Sequence, residues 1–258
     1  MNYGLYLSAS GMLTSLYRMD VLAGNLANSE TTGYKSVVAT TRQREAAAVE
    51  DGLTLPSDQL LEKLGGGVLL MGNRLDLRPG ATVETGRSLD VALEGDGFMV
   101  VSAESEENPS AVRFTRDGRL GINAESQLVH VSSGRPVLDR SNRAISLAPG
   151  REVRIDRDGT VRQGQAIVGR LQVATIADAG ALRPAGDGLL GAPAGVMSGR
   201  APTEASVLQG FVERSGVDPV ATMVDFAQAE RAVSANARLV QLHDQLLDRA
   251  INGLGRII

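Results

Sequence analysis

The sequence predicts an α+β protein: N- and C-terminal helices forming a coiled-coil unit, with an antiparallel β domain inserted between them. Three observations carry this prediction. Apolar residues recur at helical spacing at both ends, short strand-like runs separated by Asp-Gly and glycine turns fill the middle, and helix breakers crowd the stretch between. At 258 residues the chain is long enough to bury a proper core.

The first helix is written in Leu5, Ala9, Met12, Leu16, Met19, Ala23 and Leu26, which step alternately by four and three residues. A helix of about 25 residues and ~40 Å follows from that run. Asn25, Asn28, Thr31, Thr32 and Gly33 end it, being poor helix formers with a glycine free to take a positive φ. From Ser36 onward Gly52, Pro56, Gly65, Gly66, Gly67, Gly72 and Pro79 leave no room for a long helix, so this stretch reads as an extended linker with short elements.

Strand-like runs then recur at 91–93, 98–101, 127–131, 153–155 and 167–175. Arg116-Asp117-Gly118 and Arg157-Asp158-Gly159 read as two copies of one hairpin device, with Leu120 and Val161 opening the return strands. Asp218 and Pro219 open the last helix as N-cap and first helical residue. Along it Phe226, Val233, Val240, Leu247 and Leu254 repeat every seven residues, and Ala232, Ala235, Leu239, Leu242 and Leu246 form a second stripe beside them. One partner helix covers only one such stripe, so the second calls for further helices. The expected partition is 1–35 and 213–258 for the terminal helices, 36–81 for the linker and 82–212 for the β domain. The expected assembly interface comprises Leu5, Met12, Leu16, Met19, Leu26, Phe226, Val233, Leu239, Val240, Leu242, Leu246 and Leu247.

Composition narrows the function. A formal charge of −4, with no basic stripe at the ends and few aromatic residues, disfavours nucleic acid. The absence of cysteine excludes thiol catalysis, thiolate metal sites and disulfides. No apolar run reaches the ~18 residues of a membrane span, and the start has no signal-peptide pattern, so cytoplasmic residence and export by a machine that reads something else both stay open.

No catalytic constellation is legible, and no catalytic, cofactor or metal residue, cofactor or small-molecule substrate is expected. His130 reads as a surface strand residue and His243 as a polar residue on the heptad track of the last helix. Asp156 and Asp158 read as a solvated hairpin rather than a hydrolytic pair. Gly65 to Gly67 lacks the Lys and Ser/Thr of a phosphate loop, and Gly95-Asp96-Gly97 lacks a following helix. Asn236 and His243 interrupt an apolar stripe, either fixing helix register or merely being tolerated there.

The segment Met19-Asp20-Val21-Leu22-Ala23-Gly24-Asn25-Leu26-Ala27-Asn28, followed by Thr31-Thr32-Gly33-Tyr34-Lys35, resembles the N-terminal signature of flagellar axial proteins of the rod and hook. Its motif positions here are Asn25, Leu26, Ala27, Asn28, Thr32, Gly33, Tyr34 and Lys35. Thr85-Gly86 with 89–101, 114–118, and Leu208 to Glu213 leading into Ser215-Gly216-Val217 agree as well, while Gly24 and Gly216 stand where the family usually has Asn. Length together with Leu89 to Phe98 and Tyr3 to Tyr6 looks most like the proximal rod subunit, with the distal one as the alternative. The resemblance implies a non-enzymatic subunit of the basal-body rod, crossing the periplasm. It also implies export through the flagellar secretion apparatus and partnership with copies of itself and with other rod proteins. An export chaperone, or a glycan hydrolase resting on Asp156, Asp158 and Glu94, are the competing readings.

Overall fold

A computed structural model describes residues 3–45, 66–103, 111–176, 178–193, 200–202 and 205–254. The expected breakers Gly52, Pro56 and Gly65 lie outside the described residues. The chain divides into two units, one of Met1–Ala27, Val37–Asn73 and Asp218–Ile258, the other of Asn28–Ser36 and Arg74–Val217.

The first unit is built on two helices, α1 (Tyr3–Ala27) and α2 (Pro219–Leu254). Asp218 caps α2 as its sequence position predicts: Oδ1 accepts from the backbone N–H of Val220 at 2.9 Å and of Ala221 at 3.1 Å. Pro219 occupies the first turn, where no N–H is needed. Against α1, beside Leu7 and Ser10, lies an antiparallel hairpin of Thr41–Arg44 and Gly67–Leu70.

The two stripes of α2 differ in exposure. Phe226, Val233 and Val240 are half-buried, whereas Leu239, Leu242 and Leu246 are 46%, 53% and 60% exposed. Leu247, and Ile251 one turn further on, are exposed too. On α1, Leu5, Met12, Met19 and Leu26 are half-buried and Leu16 is exposed.

The second unit is a mostly antiparallel β domain. Its largest sheet runs Arg183–Pro184, Leu189–Gly191, Val112–Thr115, Phe98–Ser102, Val173–Ile176, Arg200–Pro202 in spatial order. Phe98–Ser102 is buried along its whole length, so it reads as a continuous apolar run rather than an alternating one. Phe98 and Val100 join Phe114, Leu138, Leu182 and Leu190 on one side. Met99 and Val101 join Leu120, Leu128, Ile145, Val161 and Leu171 on the other.

Arg157-Asp158-Gly159 is the hairpin turn the sequence predicts, linking Val153–Ile155 to Thr160–Gln163 with Gly159 at φ +83°. Arg116-Asp117-Gly118 is not a second copy. The strands on either side, Val112–Thr115 and Leu120–Ile122, pair with other partners. Gly118 serves close approach instead: it accepts a 2.9 Å hydrogen bond from the Val91 N–H, and a Cβ there would stand 1.5 Å from the Val91 carbonyl oxygen. Asp-Gly is thus a shared dipeptide with two physical uses.

Candidate functional site

The motif that ends α1 does two separate things. Asn25, buried within the first unit, uses its side-chain amide as a strand uses its backbone: Nδ2 donates to the Val37 carbonyl at 2.7 Å, and Oδ1 accepts from the Val37 N–H at 2.8 Å. An aspartate would lose the donor, and an alanine would leave both backbone groups of Val37 without these partners.

In the second unit the motif continues into a buried ion cluster. Lys35 Nζ donates to Glu213 Oε1 at 2.7 Å and to the Arg78 carbonyl at 2.8 Å. On the other oxygen of the same carboxylate, Arg116 Nη1 donates to Glu213 Oε2 at 3.2 Å. All three side chains are 3% exposed or less. Gly80 N–H supplies a further bond to Oε1, and Arg116 reaches the carbonyls of Leu93 and Gly95 while stacking 5.4 Å over the Phe98 ring. Burial pulls the Lys35 pKa down, opposed by its hydrogen bond to Glu213.

Backbone contacts set the cluster's geometry. Gly33 donates its N–H to the Glu213 carbonyl at 2.8 Å, and Gly216 donates to the Tyr34 carbonyl at 2.9 Å. Gly33 has φ +65°, and a Cβ on it would lie 2.3 Å from the Arg116 carbonyl carbon. Only glycine satisfies both demands. The chain leaving α1 and the chain approaching α2 are therefore joined to each other and to the middle of the sequence by one carboxylate.

A second buried cluster surrounds Asp117. Arg119 Nη2 donates to its Oδ2 at 2.8 Å, Ser132 Oγ to the same oxygen at 3.1 Å, and His130 Nε2 lies 3.2 Å away. That last contact is too poorly aligned to count as a hydrogen bond. His130 Nδ1 is 2.8 Å from Ser133 Oγ, and the ring is 0% exposed. His130 is thus no surface residue, and the sequence overlooked both its serine and its carboxylate because Asp117 comes from a different strand end. Burial pushes the Asp117 carboxyl up, but the His130 ring and the Arg119 hydrogen bonds outweigh it and hold the group well below the usual carboxylate range.

Asp156 is paired with Arg154 and Arg162, and Asp158 accepts from Thr160 and pairs with Arg170, which engages both in hairpin ion pairs. His243 lies against Gly4 of α1 and Asn236 against Gly11, both at the helix contact. No helix among the described residues is long and apolar enough to cross a membrane.

Three family models match in chain order. Residues 5–35 match the flagella basal body rod protein model, 92–163 the flagellar hook protein FlgE/F/G D1 domain, and 208–253 the flagellar basal body rod FlgEFG protein C-terminal model. The chain is 31% identical to the flagellar basal-body rod protein FlgF of Caulobacter vibrioides over 100% of both chains. It belongs to the flagellar basal-body rod protein family. It is also 30% identical to FlgG of Agrobacterium fabrum over 94% of this chain and 95% of that one, and 28% identical to FlgF of Salmonella typhimurium over 97% of each. The rod family is structural, not enzymatic, and its members assemble with other rod and flagellar proteins in the basal body. The first matched segment ends at Lys35 and the last contains Glu213, so the ion pair joins two family segments.

Two expectations follow from these clusters. Glu213→Gln leaves Lys35 and Arg116 buried without their counter-charge and is expected to destabilise the second unit by about 3–5 kcal/mol, read from the urea midpoint of the purified chain. Asp117, whose folded pKa is depressed, contributes stability that is complete above its unfolded value of about 3.9 and drains away as pH falls below it. Stability measured from pH 5 down to pH 2 should therefore fall less steeply in Asp117→Asn than in the parent chain. Parallel slopes would remove Asp117 as a source of acid sensitivity.

Proposed function

We propose that this rod subunit is the proximal one, polymerising through α1 and α2 into a helical tube that transmits torque. The observation that carries this reading is the exposed row Leu239, Leu242 and Leu246, running beside the stripe that faces α1. Apolar surface of that kind is stabilised by further helices, and copies of the same subunit supply them in identical relation around a screw axis. In the tube the terminal helices would pack as coiled coils. The helices α1 and α2 do the assembling, and the second unit, with the Lys35–Glu213–Arg116 cluster inside it, is the folded body.

Two features support proximal over distal placement: Leu89 to Phe98 with Tyr3 to Tyr6, and the end-to-end match to a FlgF protein. The similarity to a FlgG protein keeps the distal alternative in play. Delivery by the flagellar export apparatus fits a chain without cysteine and with apolar ends. The chaperone reading expects α1 and α2 to pair within one chain, as they do here, but it gives the outward leucines no purpose.

Leu242→Asp combined with Leu246→Asp alters side chains that are already exposed, so circular dichroism and the urea midpoint of the monomer should stay unchanged. Incorporation into the rod, and motility, should be lost because each copy buries two unpaired charges. A swimming strain carrying both changes sinks the interface. Proximal placement is checked separately in purified basal bodies, where labelled protein should lie on the cytoplasmic-membrane side of its paralogue.

A further inference from the structure

Where α1 meets His243 and Asn236 of α2, it presents glycines, with a buried serine between them. Gly4 and Gly11 stand seven residues apart on α1 and meet His243 and Asn236, seven apart on α2, in opposite order. A Cβ at Gly4 would lie 2.6 Å from His243 Cε1 and 2.7 Å from Nε2, nearer than real side chains come. A Cβ at Gly11 would lie 3.2 Å from Asn236 Nδ2 and 3.3 Å from Oδ1. Between the glycines Ser8 is buried, and its hydroxyl donates to the Gly4 carbonyl at 2.9 Å. The Ser15 hydroxyl donates likewise to the Gly11 carbonyl at 2.8 Å. Both hydroxyls bond back to their own helix, so the serines narrow this face without needing a partner on α2.

We infer that Asn236 and His243, seated on Gly11 and Gly4, set the register of α2 on α1 and thereby select which helix α2 accepts. Two polar side chains one heptad apart fit where α1 offers two holes at the same spacing. A slip of one turn brings both against residues that carry a Cβ, such as Ser8 and Ser15. A slip of a whole heptad leaves one of the two without its hole. The device gains little apolar burial, and its value lies in exclusion. Leucine at 236 or 243 would make this stripe as adhesive as the Leu239, Leu242 and Leu246 row, and either row would then pair with α1. Holding α1 to the glycine register keeps the leucine row outward. A helix from another rod-family subunit takes the place of α1 only if it brings glycines at this spacing. The register rests on the geometry of this chain alone; the selectivity between subunits rests on the rod reading.

The chain has no cysteine, so introduced pairs report without background. Ser8 lies between the two glycines and Val240 between the two polar residues, which makes Ser8→Cys with Val240→Cys the in-register pair. Ser8→Cys with Val233→Cys reports a one-heptad slip. In dilute full-length protein under mild oxidation, the first pair should form an intrachain disulfide and the second should not. Asn236→Leu with His243→Leu should move a large part of the yield to the slipped pair. Gly11→Ala should lower the in-register yield, and adding Asn236→Ala to the same chain should restore it. That rescue would not follow if Gly11→Ala merely weakened the fold.

An in-register disulfide that persists undiminished through both the leucine and the alanine changes overturns the register. In a strain whose parent protein is found in the rod, loss of register should reduce motility. Normal swimming there overturns the selectivity, whereas a parent protein absent from the rod overturns the rod reading and leaves the register standing.

Discussion

A single carboxylate holds together segments that are far apart in sequence. Glu213 takes Lys35 on one oxygen and Arg116 on the other, with Gly80 N–H also on the first, and its backbone carbonyl takes Gly33. Removing a carboxylate from water costs several kcal/mol, and that cost is offset only when the remaining lone pairs are filled at good distance. The cluster meets this requirement with two cations and a backbone donor. A fully paired buried charge tolerates few alternative arrangements. Shifting Lys35 by one residue would place Ser36 or Tyr34 opposite the carboxylate, leaving Glu213 and Arg116 to adjust inside a packed core.

Large parts of this architecture were legible because the signals are local. The two terminal helices, the Asp218–Pro219 helix start, the stop of α1 and the Gly159 turn each depend on residues close in sequence. The strands at Val91–Glu94, Phe98–Ser102 and Val153–Ile155 were readable for the same reason. What stayed hidden is non-local. Nothing near Glu213 says that its partners are 178 and 97 residues away. Asp117 looked like turn chemistry because Asp-Gly usually is, and only the pairing of its flanking strands with others reveals a buried charge. His130 was misjudged alongside it: a histidine in an apolar strand gives no sign of which side it faces until the strand has neighbours.

The expected assembly residues illustrate a subtler limit. Periodicity identified the apolar stripes of both helices but not which stripe each would turn inward. On α2 the stripe of Phe226, Val233 and Val240 is half-buried, and the row of Leu239, Leu242 and Leu246 is exposed. Hydrophobicity alone does not choose between the two stripes, since both carry large apolar side chains. Steric fit decides instead: Gly4, Ser8 and Gly11 give α1 a narrow face that admits Asn236 and His243 at short range.

On the proposed reading, this division suits a chain that is soluble before it polymerises and cohesive afterward. Were the leucines buried between α1 and α2 of one chain, their burial would stabilise the monomer, and assembly would first have to undo it. With glycine, serine and asparagine at the inner contact, the proposed register leaves Leu239, Leu242 and Leu246 outside the pair. Their apolar area, at about 25 cal/mol per Å² removed from water, is left to contribute to whatever covers the outer face. Specificity and adhesion are thus assigned, on the proposed reading, to different residues of the same helix: Asn236 and His243, seated on the α1 glycines, for how α1 lies, and the exposed Leu239, Leu242 and Leu246 for the driving force of assembly. An interface built from one kind of residue would have to trade the one against the other.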